Sequence, residues 1–155
     1  MAVRHWRYTA VMEKRWWRIK VLCGAGLIGC VGLAYILRPG SVALPALPGQ
    51  MLAVAGGSCT LFHAWLLQTN TQGDSQGDRP GNLVTRGGLF PYLRHPMYAG
   101  DALLYAGLAL LAPSISSLFL LLLSWFALYK QSQAEDKWLQ SLFGERFTQW
   151  QQQTW

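Results

Sequence analysis

Polar and apolar positions fall into long blocks along this chain rather than into short periods. Four blocks are almost wholly apolar: residues 21–37, 49–68, 97–112 and 118–130. No Asp, Glu, Lys or Arg occurs from Pro39 to Gly73, or from Ala102 to Tyr129. A water-facing helix carries charge on its outer face, and these runs carry none. The hydrocarbon core of a bilayer takes roughly 20 apolar residues of helix. The pattern therefore predicts a single all-α integral membrane domain with about four transmembrane helices. Residues 97–112 and 118–130 are short for full spans and need flanking residues to extend them.

Punctuation between the blocks supports this division. Residues 38–48, RPGSVALPALP, hold three prolines and a glycine, which stop a helix. Residues 69–88 are polar and rich in Gly, Asn and Asp, the composition of a loop. Pro113 to Ser117 breaks residues 97–130 into a helical hairpin. Gly24, Gly26, Gly29 and Gly32 give the first span a small-residue face for close helix packing.

The two ends differ from the spans. Residues 1–20 mix cations with Trp6, Tyr8, Trp16 and Trp17, the residues an interface favours, and predict a surface-lying N-terminal helix. Residues 131–155 place Ala134, Trp138 and Leu142 at four-residue spacing, with Leu139 and Phe143 beside them. This is an amphipathic C-terminal helix, and Gly144 is positioned to end or bend it.

Composition narrows the class. Only 13% of residues are charged, about half the usual share of a soluble protein. The net charge of +6 does not indicate nucleic acid, because the cations flank apolar runs and form no basic domain of their own. Cys23, Cys30 and Cys59 lie inside apolar runs, and their spacing fits no metal-ligand pattern. The first block follows six basic residues without a small-residue cleavage site, so it reads as a retained helix. Four spans put both termini and the 69–96 loop on one side, which collects 12 of the 13 Lys and Arg residues. The positive-inside rule makes that side cytoplasmic; in a bacterium the membrane is then the inner one.

Two clusters carry candidate chemistry. RHPMYAGD, Arg94 to Asp101, stands at the threshold of the third block. Pro96 suits a first helical turn, and Tyr98, Asp101 and Tyr105 share one face. Arg94 and His95 can fold over the helix end, forming a donor-rich cup for an anionic group such as a carboxylate. Glu135 and Asp136 form the second cluster, able to hold a hydroxylated or cationic ligand. Alone, each also reads as ordinary interfacial anchoring or solvated acid. His63, near the far end of the second block, reads as an interfacial or inter-helix hydrogen-bonding residue rather than a ligand-binding one.

Taken together, the clusters resemble the membrane methyltransferases that include the isoprenylcysteine carboxyl methyltransferases and the phospholipid (phosphatidylethanolamine) N-methyltransferases. The resemblance rests on LVTRGGLFPYLRHPMYAG, residues 83–100, and EDKWLQSLFGERFTQW, residues 135–150. It implies that both segments close over S-adenosylmethionine on the cytoplasmic side. Arg94, His95, Tyr98 and Gly100 would line the cofactor pocket. Glu135 and Asp136 would hold its other end, and Leu139, Phe143, Phe147 and Trp150 would pack the lid beside the adenine. His95 and Glu135 are the candidate catalytic groups, as acceptors of a proton from an amine substrate. No metal is implied. The implied substrate is lipophilic or membrane-embedded, with a carboxylate, amine or thiol as nucleophile.

The chain departs from the family pattern at several positions. Asp136 stands where a Glu is usual, Phe147 and Trp150 where tyrosines are usual, and Pro91 where an Arg is usual. Gly87-Gly88 carries one extra glycine, and Asp101 replaces an apolar residue. Two other readings remain open at this point: a nicotinamide-dependent membrane reductase of the steroid-reductase type, using NADPH, and a non-catalytic membrane adaptor that keeps the fold.

Overall fold

The computed structural model describes residues 2–37, 46–71 and 83–154, and the side chains of 14–37, 46–70 and 83–154. Every element among them is helical: α1 Ala2–Leu37, α2 Leu47–Thr71, α3 Pro96–Leu111, α4 Ile115–Phe143 and α5 Glu145–Gln153. The proline-rich stop at 38–48 and the loop at 69–88 fall largely outside the described residues.

Among the described residues, three helical stretches are long and apolar enough to cross a membrane: Lys14–Leu37, Leu47–Asn70 and Ile115–Phe143. The chain is an integral membrane protein. The expected fourth span is α3, whose 16 residues rise about 24 Å, less than the hydrocarbon thickness of about 30 Å. The outward faces are greasy: Leu22 is 70% exposed, Ile36 76%, Leu61 73% and Ile115 89%. Such surfaces suit lipid, not water.

Two boundaries differ from the sequence expectation. No separate interfacial helix precedes the first span; α1 runs unbroken from Ala2 to Leu37. Residues 2–23 hold neither Gly nor Pro, so nothing interrupts the helix. Likewise the amphipathic tail does not start a new helix near residue 131. It prolongs α4 to Phe143, and the break falls at Gly144. Gly144 has φ +53 and donates its backbone N–H to the Gln140 carbonyl at 3.0 Å, a helix stop that favours glycine. The hairpin break falls where expected: Ser114 caps α4 by accepting the Ser117 N–H at 3.1 Å.

Close packing of α2 on α3 sets the bundle. A Cβ on Gly56 would strike the Leu104 backbone N and come within 2.5 Å of the Gly100 carbonyl. A Cβ on Gly107 would lie 2.6 Å from the Gly49 carbonyl. These pairs run in opposite directions, so α2 and α3 are antiparallel. On α1, Gly24 meets Tyr105 and Gly26 meets Leu120, but Gly29 and Gly32 face open space. Only half of the expected small-residue face therefore serves packing in this chain. Leu27, Tyr105 and Leu128 form the buried centre between α1, α3 and α4.

A buried ion pair ties three helices together. Lys20 Nζ donates to Asp101 Oδ2 at 2.8 Å, and Thr60 Oγ1 donates to Asp101 Oδ1 at 3.0 Å. Asp101, unusual in an apolar helix, is matched by a cation from α1 and a hydroxyl from α2.

Candidate functional site

The site lies at the bundle end where α3 begins and α4 approaches its end. Upstream of α3, the chain turns tightly over Gly87 and Gly88, both with positive φ (+94 and +52). The Phe90 N–H then bonds the Gly87 carbonyl at 3.2 Å, and the Leu93 N–H the Leu89 carbonyl at 2.8 Å. This coil ends at His95, and Pro96 occupies the first position of α3, where its missing donor costs nothing. Arg94 and His95 are thereby delivered over the helix end.

There they meet the acids of α4. Arg94 Nη1 donates to Asp136 Oδ2 at 2.7 Å, and His95 Nε2 donates to Asp136 Oδ1 at 2.8 Å. On its other side, His95 Nδ1 lies 3.5 Å from Glu135 Oε2. Two cations and two carboxylates thus form one compact group, joining the two sequence clusters. Burial alone would depress the imidazole pKa. The hydrogen bonds and charges of Asp136 and Glu135 outweigh burial and raise it from 6.5 to about 9. His95 is an imidazolium at neutral pH, with both nitrogens committed to acids. Its ring stacks on Tyr98 at 5.2 Å, and Lys20 Nζ sits 5.3 Å over the other part of that column, the Tyr98 ring.

Against this group opens a cavity of about 250 Å³. Arg94, His95, Tyr98 and Glu135 supply its polar wall; Phe90, Trp138, Leu139 and Trp150 supply much of the apolar one. Behind the apolar wall, Phe90, Phe147 and Trp150 form a buried cluster that also gathers Leu66, Leu67, Leu139 and Phe143. The Trp150 indole N–H donates to the Phe90 carbonyl at 3.3 Å. Short helix α5 is pinned in this way to the coil before α3.

Of the residues singled out in the sequence, Arg94, His95, Tyr98 and Glu135 come together on the cavity wall. Asp136 stands behind the wall and pairs with both Arg94 and His95. Gly100 is not part of the wall: it packs against α2, where a Cβ would lie 2.5 Å from Thr60 Oγ1. Leu139 and Trp150 face the cavity, whereas Phe143 and Phe147 support it from the buried cluster. Phe90 and Trp138 are wall residues that sequence reasoning passed over. Phe90 sits in the stretch altered by the extra glycine, and Trp138 was absorbed into the amphipathic stripe. His63 does bridge elements by hydrogen bonds, as expected.

Two buried polar atoms lack partners among the described residues, Arg94 Nε and Gln131 Oε1. Arg94 Nε belongs to a cavity residue. A buried donor left unpaired is costly, about 1–3 kcal/mol.

The family model for phospholipid methyltransferases matches residues 46–146, two thirds of the chain. The chain belongs to the phospholipid methyltransferase family. The match covers α2, α3 and α4, and with them every residue of the Arg94–His95–Glu135–Asp136 group. No curated protein and no solved structure matches the chain significantly. Membership in a phospholipid methyltransferase family favours methyl transfer over the nicotinamide reductase reading.

Proposed function

We propose that the protein transfers a methyl group from S-adenosylmethionine to a lipophilic substrate at the cytoplasmic face of its membrane. The observation that carries this reading is the joining of Arg94 and His95 to Glu135 and Asp136 beside a mostly apolar cavity. The residues present fit such a cofactor. Arg94, with its unpaired buried Nε, suits a carboxylate. Glu135, paired among the described residues with His95 at 3.5 Å, suits an amino group or ribose hydroxyls. Phe90, Trp138 and Trp150 offer aromatic faces to a base and to a cation.

When bound, the cofactor supplies an electrophilic methyl on a sulfonium. This chain's own residues bind, orient and keep water away. Asp136 fixes the direction of Arg94 and His95. His95, already protonated, contributes positive charge and hydrogen-bonding direction and has no free lone pair with which to take a proton. Glu135 is therefore the acceptor left for a proton released by an amine substrate. A carboxylate substrate needs no base. The exposed apolar faces of the helices give a lipophilic substrate a route from the bilayer.

The test is transfer of radiolabelled methyl from S-adenosylmethionine, by the purified protein in bilayers, to phosphatidylethanolamine or to a prenylated thiol or carboxylate. Label in the lipid phase, absent with Glu135→Ala, supports the proposal. NADPH consumption without methyl transfer would replace it with the reductase reading. Cofactor binding without turnover on any acceptor would support the adaptor reading.

A further inference from the structure

His63 is buried to 2% exposure on α2, away from the charged group, and the mechanism above does not use it. Its bonds are directional. Nδ1–H donates to the Cys59 carbonyl at 2.7 Å, one turn back on the same helix. That donation sets the tautomer and leaves a lone pair on Nε2. Nε2 accepts the backbone N–H of Leu89 at 2.9 Å. The imidazole thus links α2 to the coil that carries Arg94 and His95.

The coil is shaped to receive it. Gly88 has φ +52, and a Cβ there would lie 2.5 Å from His63 Nε2. Glycine at position 88 is therefore required twice, by conformation and by the closeness of the ring. Phe90 stands edge-on to His63 at 5.5 Å. The Phe90 carbonyl in turn accepts the Trp150 indole N–H, and the Phe90 and Trp150 side chains both line the cavity. Two hydrogen bonds and one ring contact carry the position of α2 to the cavity wall and to α5.

We infer that His63 is a positioning residue that clamps the Gly88–Phe90 turn, and through it Trp150, into the form that makes the cavity wall. The inference rests on the cofactor reading only for the ligand that the cavity takes. Phe90 and Trp150 are held at the end of a relay, so loss of the clamp loosens both together.

The test combines hydrogen exchange with binding of S-adenosylhomocysteine, using the full chain in detergent. His63→Leu fills the space and removes both bonds. His63→Gln can place an amide oxygen where Nε2 lies and accept the Leu89 N–H. In His63→Leu, exchange rises in residues 87–93 and 145–153 and not in α3, and binding weakens about tenfold, the worth of a lost buried hydrogen bond. His63→Gln restores exchange protection and brings binding back to within about threefold. Unchanged exchange at 145–153 in His63→Leu, or a Gln variant no better than the Leu variant, overturns the inference. If His63→Leu does not accumulate, His63→Asn, too short to reach Leu89, is compared with His63→Gln in the same way. The predicted exchange pattern in a protein that binds no S-adenosylhomocysteine supports the clamp and counts against the cofactor reading, so the two failures are read separately.

Discussion

Arg94 and Asp136 stand 42 positions apart and meet at 2.7 Å, joining the coil before α3 to the C-terminal part of α4. The same carboxylate takes His95 on its other oxygen at 2.8 Å. One acid thus orients both cations of the site. Removing it leaves the partly buried Arg94 without its acid and His95 with Glu135 alone. Asp136→Asn should lower stability by about 1–3 kcal/mol, a buried-pair loss reduced by partial exposure, and weaken cofactor binding. Thermal unfolding in detergent and a binding titration check both. Asp136→Glu, the residue usual in the family, keeps the charge but adds a methylene, so it should fall between the two.

The raised pKa of His95 makes stability depend on pH. The group is held protonated by Asp136 and Glu135, with its folded pKa at about 9 against 6.5 unperturbed. Its contribution is therefore fully present below about pH 6.5, declines above it and is gone once pH passes about 9. The midpoint of unfolding should fall across that window. In His95→Asn the same window should be flat apart from the drift due to other groups. A parallel decline in both proteins would assign the effect elsewhere.

Lys20 and Asp101 should behave as a unit. Asp101→Ala leaves Lys20 buried without its partner, which costs about 3–5 kcal/mol where a buried pair is broken. The double variant Lys20→Met with Asp101→Leu removes both charges and should recover most of that loss. A double variant no more stable than the single one would mean that the pair does more than neutralise itself.

Glycines should separate by what they face. Gly56→Ala pushes a methyl into the α3 backbone and should destabilise by about 1–3 kcal/mol, the cost of overpacking. Gly29→Ala and Gly32→Ala meet open space and should be neutral or slightly stabilising, because alanine favours helix. Thermal unfolding of the three variants checks the difference.

Much of the arrangement was legible because strong local signals agreed with the tertiary ones. Pro96 at a helix start, the break at Pro113 to Ser117 and Gly144 as a stop each act within about one turn, so the chain alone reveals them. The pairing of RHP with the acidic pair was legible through resemblance, and the short contacts at Asp136 follow it. Continuity was harder. The join of the N-terminal segment to the first span, and of α4 to its amphipathic end, depends on the absence of a breaker, while composition changes sharply at both joins. The partners of Asp101 were also hidden. A lone acid in an apolar helix calls for a counter-charge, but only the packing of α1 on α3 singles out Lys20. Gly100 shows the opposite case: its motif position suggested the pocket, and the α2–α3 approach claims it for packing.

The central claim is that the Arg94–His95–Glu135–Asp136 group and its cavity bind S-adenosylmethionine. Calorimetric titration of the purified protein in detergent with S-adenosylhomocysteine, beside NADPH, tests it most directly. The account predicts binding of the adenosyl compound, loss of that binding in Glu135→Ala while the variant stays folded, and no binding of NADPH. A Glu135→Ala variant that binds as tightly as the unsubstituted protein, or binding of NADPH alone, would contradict it.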